Sequence, residues 1–91
     1  MRANWDLVLE KVITHQDQEA LMELFELLLT EEERSAIAGR LKVFQTLLRG
    51  EMSQRQIAAE FEISIATITR CSNYLKHMPA AQREKIKTLI L

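Results

Sequence analysis

The segment QRQIAAEFEISIATITR, residues 54 to 70, decides the fold of this 91-residue chain. A helix start precedes it, because Ser53 followed three residues later by Gln56 is a capping box. Ser64 is a second helix N-cap, so the first helix must end near Phe61. Two helices joined by a three-residue turn have the spacing of a helix-turn-helix.

The second helix of this pair is predicted against its local propensities. Its β-branched residues favour a strand, yet a helical period of 100° per residue divides them between two faces. Ile68, Cys71 and Leu75 fall on the inward face, with Ser72 at its edge. The outward face has short side chains at its N-terminal end and then Arg, Asn and Lys, with Thr67 and Tyr74 at its edge. Its residues are Ile65, Ala66, Thr69, Arg70, Asn73 and Lys76. Such a face suits entry into a DNA major groove.

The packing positions of the pair also fit. The residues predicted to pack inward across the turn are Ile57, Ala58, Phe61, Ile63 and Ile68. Glu62 stands where many such turns use glycine to reach positive φ, and a glutamate there costs about 1 kcal/mol.

Four more helices complete an all-α chain, predicted as a single domain over residues 1–91 with the helix-turn-helix at about 54–77. The other predicted helices lie at 3–14, about 17–28, 31–49 and 80–90. Thr30 with Glu33 is a capping box for the long third helix, and Gly50 stands at its C-terminal end. The buried stripe of that helix is predicted as Ile37, Leu41, Phe44 and Leu48.

The predicted helix at about 17–28 is apolar on more than one face. Its large apolar residues are Leu21, Met22, Leu24, Phe25, Leu27, Leu28 and Leu29. A chain this small buries so wide a surface with difficulty, so we expect a subunit interface here. The alternative is a central core helix.

Composition restricts the classes of function. The net charge is −1, and residues 1–50 carry nine acidic against six basic side chains, whereas residues 51–91 carry four against six. Only the second half therefore suits contact with phosphate. The single Cys71 excludes an internal disulfide and is expected to be a small core residue, and the two histidines, His15 and His77, have no metal-ligand spacing. A soluble cytoplasmic protein without cofactor or metal is expected.

A family resemblance adds to this interpretation. The run LLRGEMSQRQIAAEFEISIATITRCSNYLK, with LLLTEEERSAIAGRL upstream, closely resembles the bacterial tryptophan repressor family, and the likeness extends from about Trp5 to the last helix. The resemblance implies a six-helix, intertwined homodimer. It also implies operator DNA as a partner, bound when L-tryptophan occupies a corepressor pocket.

The resemblance also implies site residues. Those expected at DNA are Gln54, Arg55, Ile65, Ala66, Thr67, Thr69, Arg70, Asn73 and Lys76, with Arg55 the candidate for a direct guanine contact. Arg40 and Arg70 match two arginines that sandwich the indole, and Arg70 also pairs with the carboxylate. Thr30 matches a hydroxyl that holds this carboxylate, and the backbone carbonyls of Leu27 and Leu29 match acceptors for the ammonium.

Two positions depart from the family pattern, which has glycine where this chain has Cys71 and serine where it has Tyr74. Tyr74 is four residues after Arg70 on the predicted helix. It could fill part of the indole space, stack on Arg70, or donate its hydroxyl from a rotated position.

Three functions remain open on the sequence. The first is a tryptophan-gated repressor, the second a repressor of the same fold that binds DNA without tryptophan, and the third a helical protein-interaction module. An enzyme is not expected, because no paired carboxylates, activated nucleophile or phosphate-cradling loop is present.

Overall fold

A computed structural model describes residues 4–91, and these residues form six α-helices and no strand. In chain order the helices are α1 (Trp5–Thr14), α2 (Gln18–Leu28), α3 (Glu31–Arg49), α4 (Gln54–Phe61), α5 (Ile65–Lys76) and α6 (Ala80–Ile90). The all-α prediction is confirmed. The predicted first helix began at residue 3, which lies outside the described residues.

The helix ends follow from capping interactions. The Thr30 hydroxyl accepts from the Glu33 amide at 3.1 Å, and the Glu33 carboxylate accepts from the Thr30 amide at 2.9 Å. Hydrogen bonds to the Glu33 carboxylate from the Thr30 amide, the larger effect, and from the Thr30 side chain hold the pKa of Glu33 below its usual value. Ser53 and Gln56 form the same reciprocal pair at 3.1 and 2.7 Å. Gly50 ends α3 at a φ of 69°, where glycine avoids a steric penalty.

The chain divides into two compact units, Met1–Arg34 and Ser35–Leu91. In the first unit, neither α1 nor α2 has a buried residue, and Leu27 on α2 is 80% exposed. Whether α2 is a subunit interface or a core helix therefore stays a prediction. The single-domain organisation over 1–91 stays a prediction.

The hydrophobic core lies in the second unit. Val43, Ile57 and Ile68 are fully buried, one from each of α3, α4 and α5. Other apolar side chains pack around them: Cys71, Phe44, Leu47, Met52, Ala58, Phe61 and Ile63. The predicted inward positions of α4, the turn and α5 are confirmed by this cluster.

The predicted buried stripe of α3 was wrong in part. Val43 and Thr46 are its buried residues, whereas Ile37 and Leu41 are 49% and 46% exposed. Helix α3 is apolar on more than one side, so helical periodicity does not determine which side meets α4 and α5. Packing against Ile57 and Ile68 selects the Val43 side.

The turn between α4 and α5 contains a left-handed residue. Glu62 has φ 53° and ψ 43°, as the helix-turn-helix spacing predicted, and its amide donates to the Ala58 carbonyl. The next residue, Ile63, reaches α3, because its Cδ1 lies 3.5 Å from the position of a Cβ added to Gly39. The chain thus accepts a strained residue to bring this turn against α3.

We expect Glu62→Gly to raise the free energy of unfolding by about 0.5 to 1 kcal/mol, because glycine adopts positive φ without the Cβ clash. The measurement is urea denaturation at fixed protomer concentration. The matched control is Ala59→Gly, at an exposed helical position of α4, which should lower the free energy of unfolding by about 1 kcal/mol. A decrease of stability in both variants would contradict the strain at Glu62.

Candidate nucleic-acid interface and ligand cavity

A chain of hydroxyl groups fixes the start of α5. The Ser64 oxygen accepts from the Thr67 amide at 3.2 Å and donates to Thr67 Oγ1 at 2.9 Å. Arg70 Nη2 then donates to the same Thr67 Oγ1 at 3.4 Å. These bonds hold the Arg70 guanidinium along the exposed side of the helix.

The two faces of α5 are divided as the sequence predicted. The inward residues Ile68, Cys71, Ser72 and Leu75 are all buried. The side chains of the predicted DNA face are exposed or half-buried: Ile65, Ala66, Thr67, Thr69, Arg70, Asn73 and Lys76. One face of α5 therefore anchors the helix and the other is available to a partner.

The start of α4 is tied to the outward face of α5. Thr69 Oγ1 donates to Gln54 Oε1 at 3.2 Å, a contact between residues fifteen positions apart. This bond orients Gln54, and the neighbouring Arg55 remains exposed. The predicted DNA residues of α4 and α5 thus belong to one connected surface.

Arg40 and Arg70, the two arginines of the predicted ligand site, line the same cavity. The cavity has a volume of about 290 Å³, and its walls are Arg40, Phe44, Thr67, Arg70, Cys71 and Tyr74. The other three predicted ligand residues, Leu27, Leu29 and Thr30, belong to the first compact unit. An open cavity with two guanidinium groups and aromatic walls suits a flat, anionic ligand.

The Tyr74 ring contacts the ring of Phe44 on α3. The two rings meet edge to face, with centroids 6.2 Å apart and planes at 66°, and Tyr74 remains 63% exposed. The sequence reasoning missed Phe44 as a wall of this cavity. Its position four residues after Arg40 on α3 was the available signal, since such residues share a helix face.

Two predicted ligand groups of the first compact unit, Thr30 and Leu29, already make hydrogen bonds within that unit. The Thr30 hydroxyl accepts from the Glu33 amide, and its hydrogen bond to the Glu33 carboxylate helps to lower the pKa of that carboxyl. The Leu29 carbonyl accepts from Arg34 Nη1 at 2.9 Å, and a carbonyl oxygen has a second lone pair. The Leu29 carbonyl therefore keeps one acceptor site, whereas the Thr30 hydroxyl is already engaged with Glu33, and the ligand roles of both groups stay predictions.

Cys71 is a core residue rather than a reactive one. Burial raises the pKa of its thiol, and the positive charges of Arg40 and Arg70 oppose this shift only in part. Its sulfur therefore stays protonated at neutral pH. Within residues 4–91 no three metal-binding side chains come together, and no described helix is long and apolar enough to cross a membrane.

Comparison with known proteins identifies the family. Residues 3–90 match the family described as Trp repressor protein. The chain belongs to the Trp repressor protein family. That family is regulatory rather than enzymatic, and membership supports a role as a transcriptional repressor.

Relatives within the Trp repressor family match over most of their length. The "Trp operon repressor homolog" of Vibrio parahaemolyticus is 37% identical, over 96% of this chain and 84% of the relative. Homologs with the same description from Vibrio cholerae and Chlamydia trachomatis are 37% and 38% identical. They are matched over 98% and 90% of this chain and over 86% and 87% of their own lengths.

The buried Cys71 thiol should react more slowly with iodoacetamide in the folded protein than in protein unfolded by guanidinium. Because the pKa of Cys71 is raised in the fold, the reaction rate should increase at higher pH in the native protein than in the unfolded chain. Mass spectrometry across a pH series measures both rates, with Cys71→Ser as the unreactive control. Equal pH profiles would contradict the burial of this thiol.

Proposed function

We propose that this protein is a sequence-specific DNA-binding repressor of tryptophan biosynthesis or transport genes, gated by L-tryptophan as corepressor. One observation carries the proposal: the exposed face of α5 adjoins a cavity that contains both Arg40 and Arg70. Arg70 belongs to the DNA face and to the cavity wall at once. A ligand that binds this guanidinium therefore acts directly on a DNA-contacting residue.

Helix α5 is proposed to enter the major groove. Ile65 and Ala66 at its N-terminal end are short enough for close approach to base edges, and Thr69 and Asn73 offer hydrogen-bonding groups. Arg55 at the start of α4 is proposed to contact guanine, because its guanidinium can donate two parallel bonds to one guanine edge. Lys76 at the end of α5 is assigned to a backbone phosphate.

The corepressor is proposed to lie between Arg40 and Arg70. Guanidinium groups stack on aromatic faces, so two of them can hold an indole from both sides. Arg70 is assigned to the ligand carboxylate together with the Thr30 hydroxyl. The carbonyls of Leu27 and Leu29 are assigned to the ammonium.

A homodimer accounts for apolar surface that a single chain leaves exposed. In the first unit Trp5, Ile13 and Leu27 are 69%, 76% and 80% exposed. In the second unit Ile37, Leu41 and Leu89 are exposed as well. Exposed apolar area on this scale marks an interaction surface, and a second copy of a 91-residue chain is the simplest partner.

Ligand gating then follows from differential affinity. A ligand held by Arg40 of α3 and Arg70 of α5 favours the arrangement of these helices that it binds best. If that arrangement also fits two successive major grooves, ligand and operator strengthen each other's binding by the same factor.

One contact supports a second candidate, a repressor of the same fold that binds DNA without tryptophan. The Phe44–Tyr74 ring pair already joins α3 to α5, the connection that a ligand between Arg40 and Arg70 would make. In this version Tyr74 itself holds α5 in the DNA-binding position.

Arg55→Ala should lower the affinity for operator duplex by at least about tenfold and leave the affinity for random duplex nearly unchanged, since it removes a base contact. Lys76→Ala is the matched comparison, because removal of a phosphate-binding cation weakens binding to both duplexes alike. Fluorescence anisotropy with labelled duplexes measures each affinity. A protein-interaction module would instead bind operator and random duplex equally, and Arg55→Ala would change nothing.

L-Tryptophan should raise operator affinity by about fivefold or more, with measurable heat of binding in calorimetry. Tyr74→Ser should bind L-tryptophan more tightly than wild type, because the ring no longer occupies one wall of the cavity. Tyr74→Phe keeps the ring and removes the hydroxyl, so it should behave as wild type. Absence of heat together with unchanged operator affinity in wild type would leave the tryptophan-independent repressor as the function.

A further inference from the structure

We propose that a second cavity, between α3, α5 and α6, binds a phosphate group of the DNA backbone; the choice of DNA as the source rests on the proposed function. This cavity has a volume of about 340 Å³ and includes three cationic side chains, Lys76, Arg83 and Lys87. Ser72 on α5 adds a hydroxyl to the same wall. Three cations and a hydroxyl are donor groups that bind phosphate oxygens.

Arg83 is held in place but lacks one hydrogen-bond partner. Its Nη2 donates to the Met78 carbonyl at 3.0 Å, which fixes the plane of the guanidinium. Its Nε is buried and has no acceptor among the described residues. A buried donor without an acceptor is unfavourable, so a shift of the Arg83 side chain toward an anion in the cavity would relieve this unpaired Nε.

The charges around this cavity are poorly balanced. Lys87 pairs with Glu84 at 3.2 Å, and the two side chains are 38% and 72% exposed. An exposed ion pair of this kind contributes little to stability, so Lys87 can exchange Glu84 for another anion. Among the described residues, the cavity lining contains Lys76, Arg83 and Lys87 and no carboxylate, so the cations outnumber the one acidic side chain, Glu84, that pairs with Lys87. The local potential therefore favours an anion over a neutral ligand.

The position of Lys76 indicates that the phosphate belongs to DNA. Lys76 is the last residue of α5, and it belongs both to the proposed DNA face and to the second cavity. When α5 lies in the major groove, the phosphate backbone passes its ends. The second cavity thus extends the proposed contact surface from the bases to the flanking backbone on α6.

The test is the salt dependence of operator binding for wild type and three variants. Lys87→Gln and Arg83→Gln each remove a cavity cation, whereas Lys85→Gln removes an exposed cation of α6 outside the cavity. The slope of log affinity against log salt should become shallower by about 0.9 for each phosphate that a protomer no longer neutralises. The Lys85→Gln control should keep the wild-type slope, and circular dichroism shows whether each variant is folded.

A second measurement identifies the source of the phosphate without requiring DNA binding. Inorganic phosphate is titrated against chloride at constant ionic strength, and the amide resonances of Ser72, Arg83 and Lys87 are followed. A shallower slope in the two cavity variants supports the DNA backbone as the source. Unchanged slopes with resonance shifts that Lys87→Gln abolishes support free phosphate instead. Unchanged slopes without any resonance shift overturn the phosphate cavity, even when wild type binds operator DNA.

Discussion

The contact among Val43, Ile57 and Ile68 holds α3, α4 and α5 together in the second unit. Each of these side chains is fully buried, and each comes from a different helix. Truncation of Ile57 or Ile68 to alanine costs about 2 to 5 kcal/mol, a large share of the stability of a small domain. Because α5 is anchored through Ile68, its outward face is presented to solvent and its Arg70 side faces the cavity shared with α3. The proposed DNA surface and the proposed ligand cavity therefore both depend on this packing contact.

The helix boundaries were predictable because their signals are local. The Thr30 and Ser53 capping boxes and the Ser64 cap each depend on residues no more than three positions apart. The inward and outward faces of α5 follow from helical period alone, and they overrule the strand propensity of its isoleucines and threonines. Even the left-handed Glu62 could be inferred, since the short turn leaves little alternative.

The features that escaped prediction depend on residues distant in sequence. Helix α3 offers several apolar sides, and only the three-dimensional packing decides that Val43 is buried while Ile37 is exposed. The ring contact between Phe44 and Tyr74 joins residues thirty positions apart, so no local pattern signals it. Arg40 and Arg70 were paired only through family resemblance. Their common cavity depends on how α5 packs against α3.

The packing of α5 against α3 also determines how Tyr74 and a corepressor together position α5. An edge-to-face ring pair contributes about 0.5 to 1.5 kcal/mol, and Tyr74 is 63% exposed, so its contact with Phe44 lies toward the weaker end. Ligand coupling in allosteric proteins is typically about 1 to 3 kcal/mol. In the proposed mechanism the ring pair thus favours the DNA-binding arrangement of α5 but does not fully populate it. A ligand held by both arginines then changes the population of that arrangement more than the ring pair does.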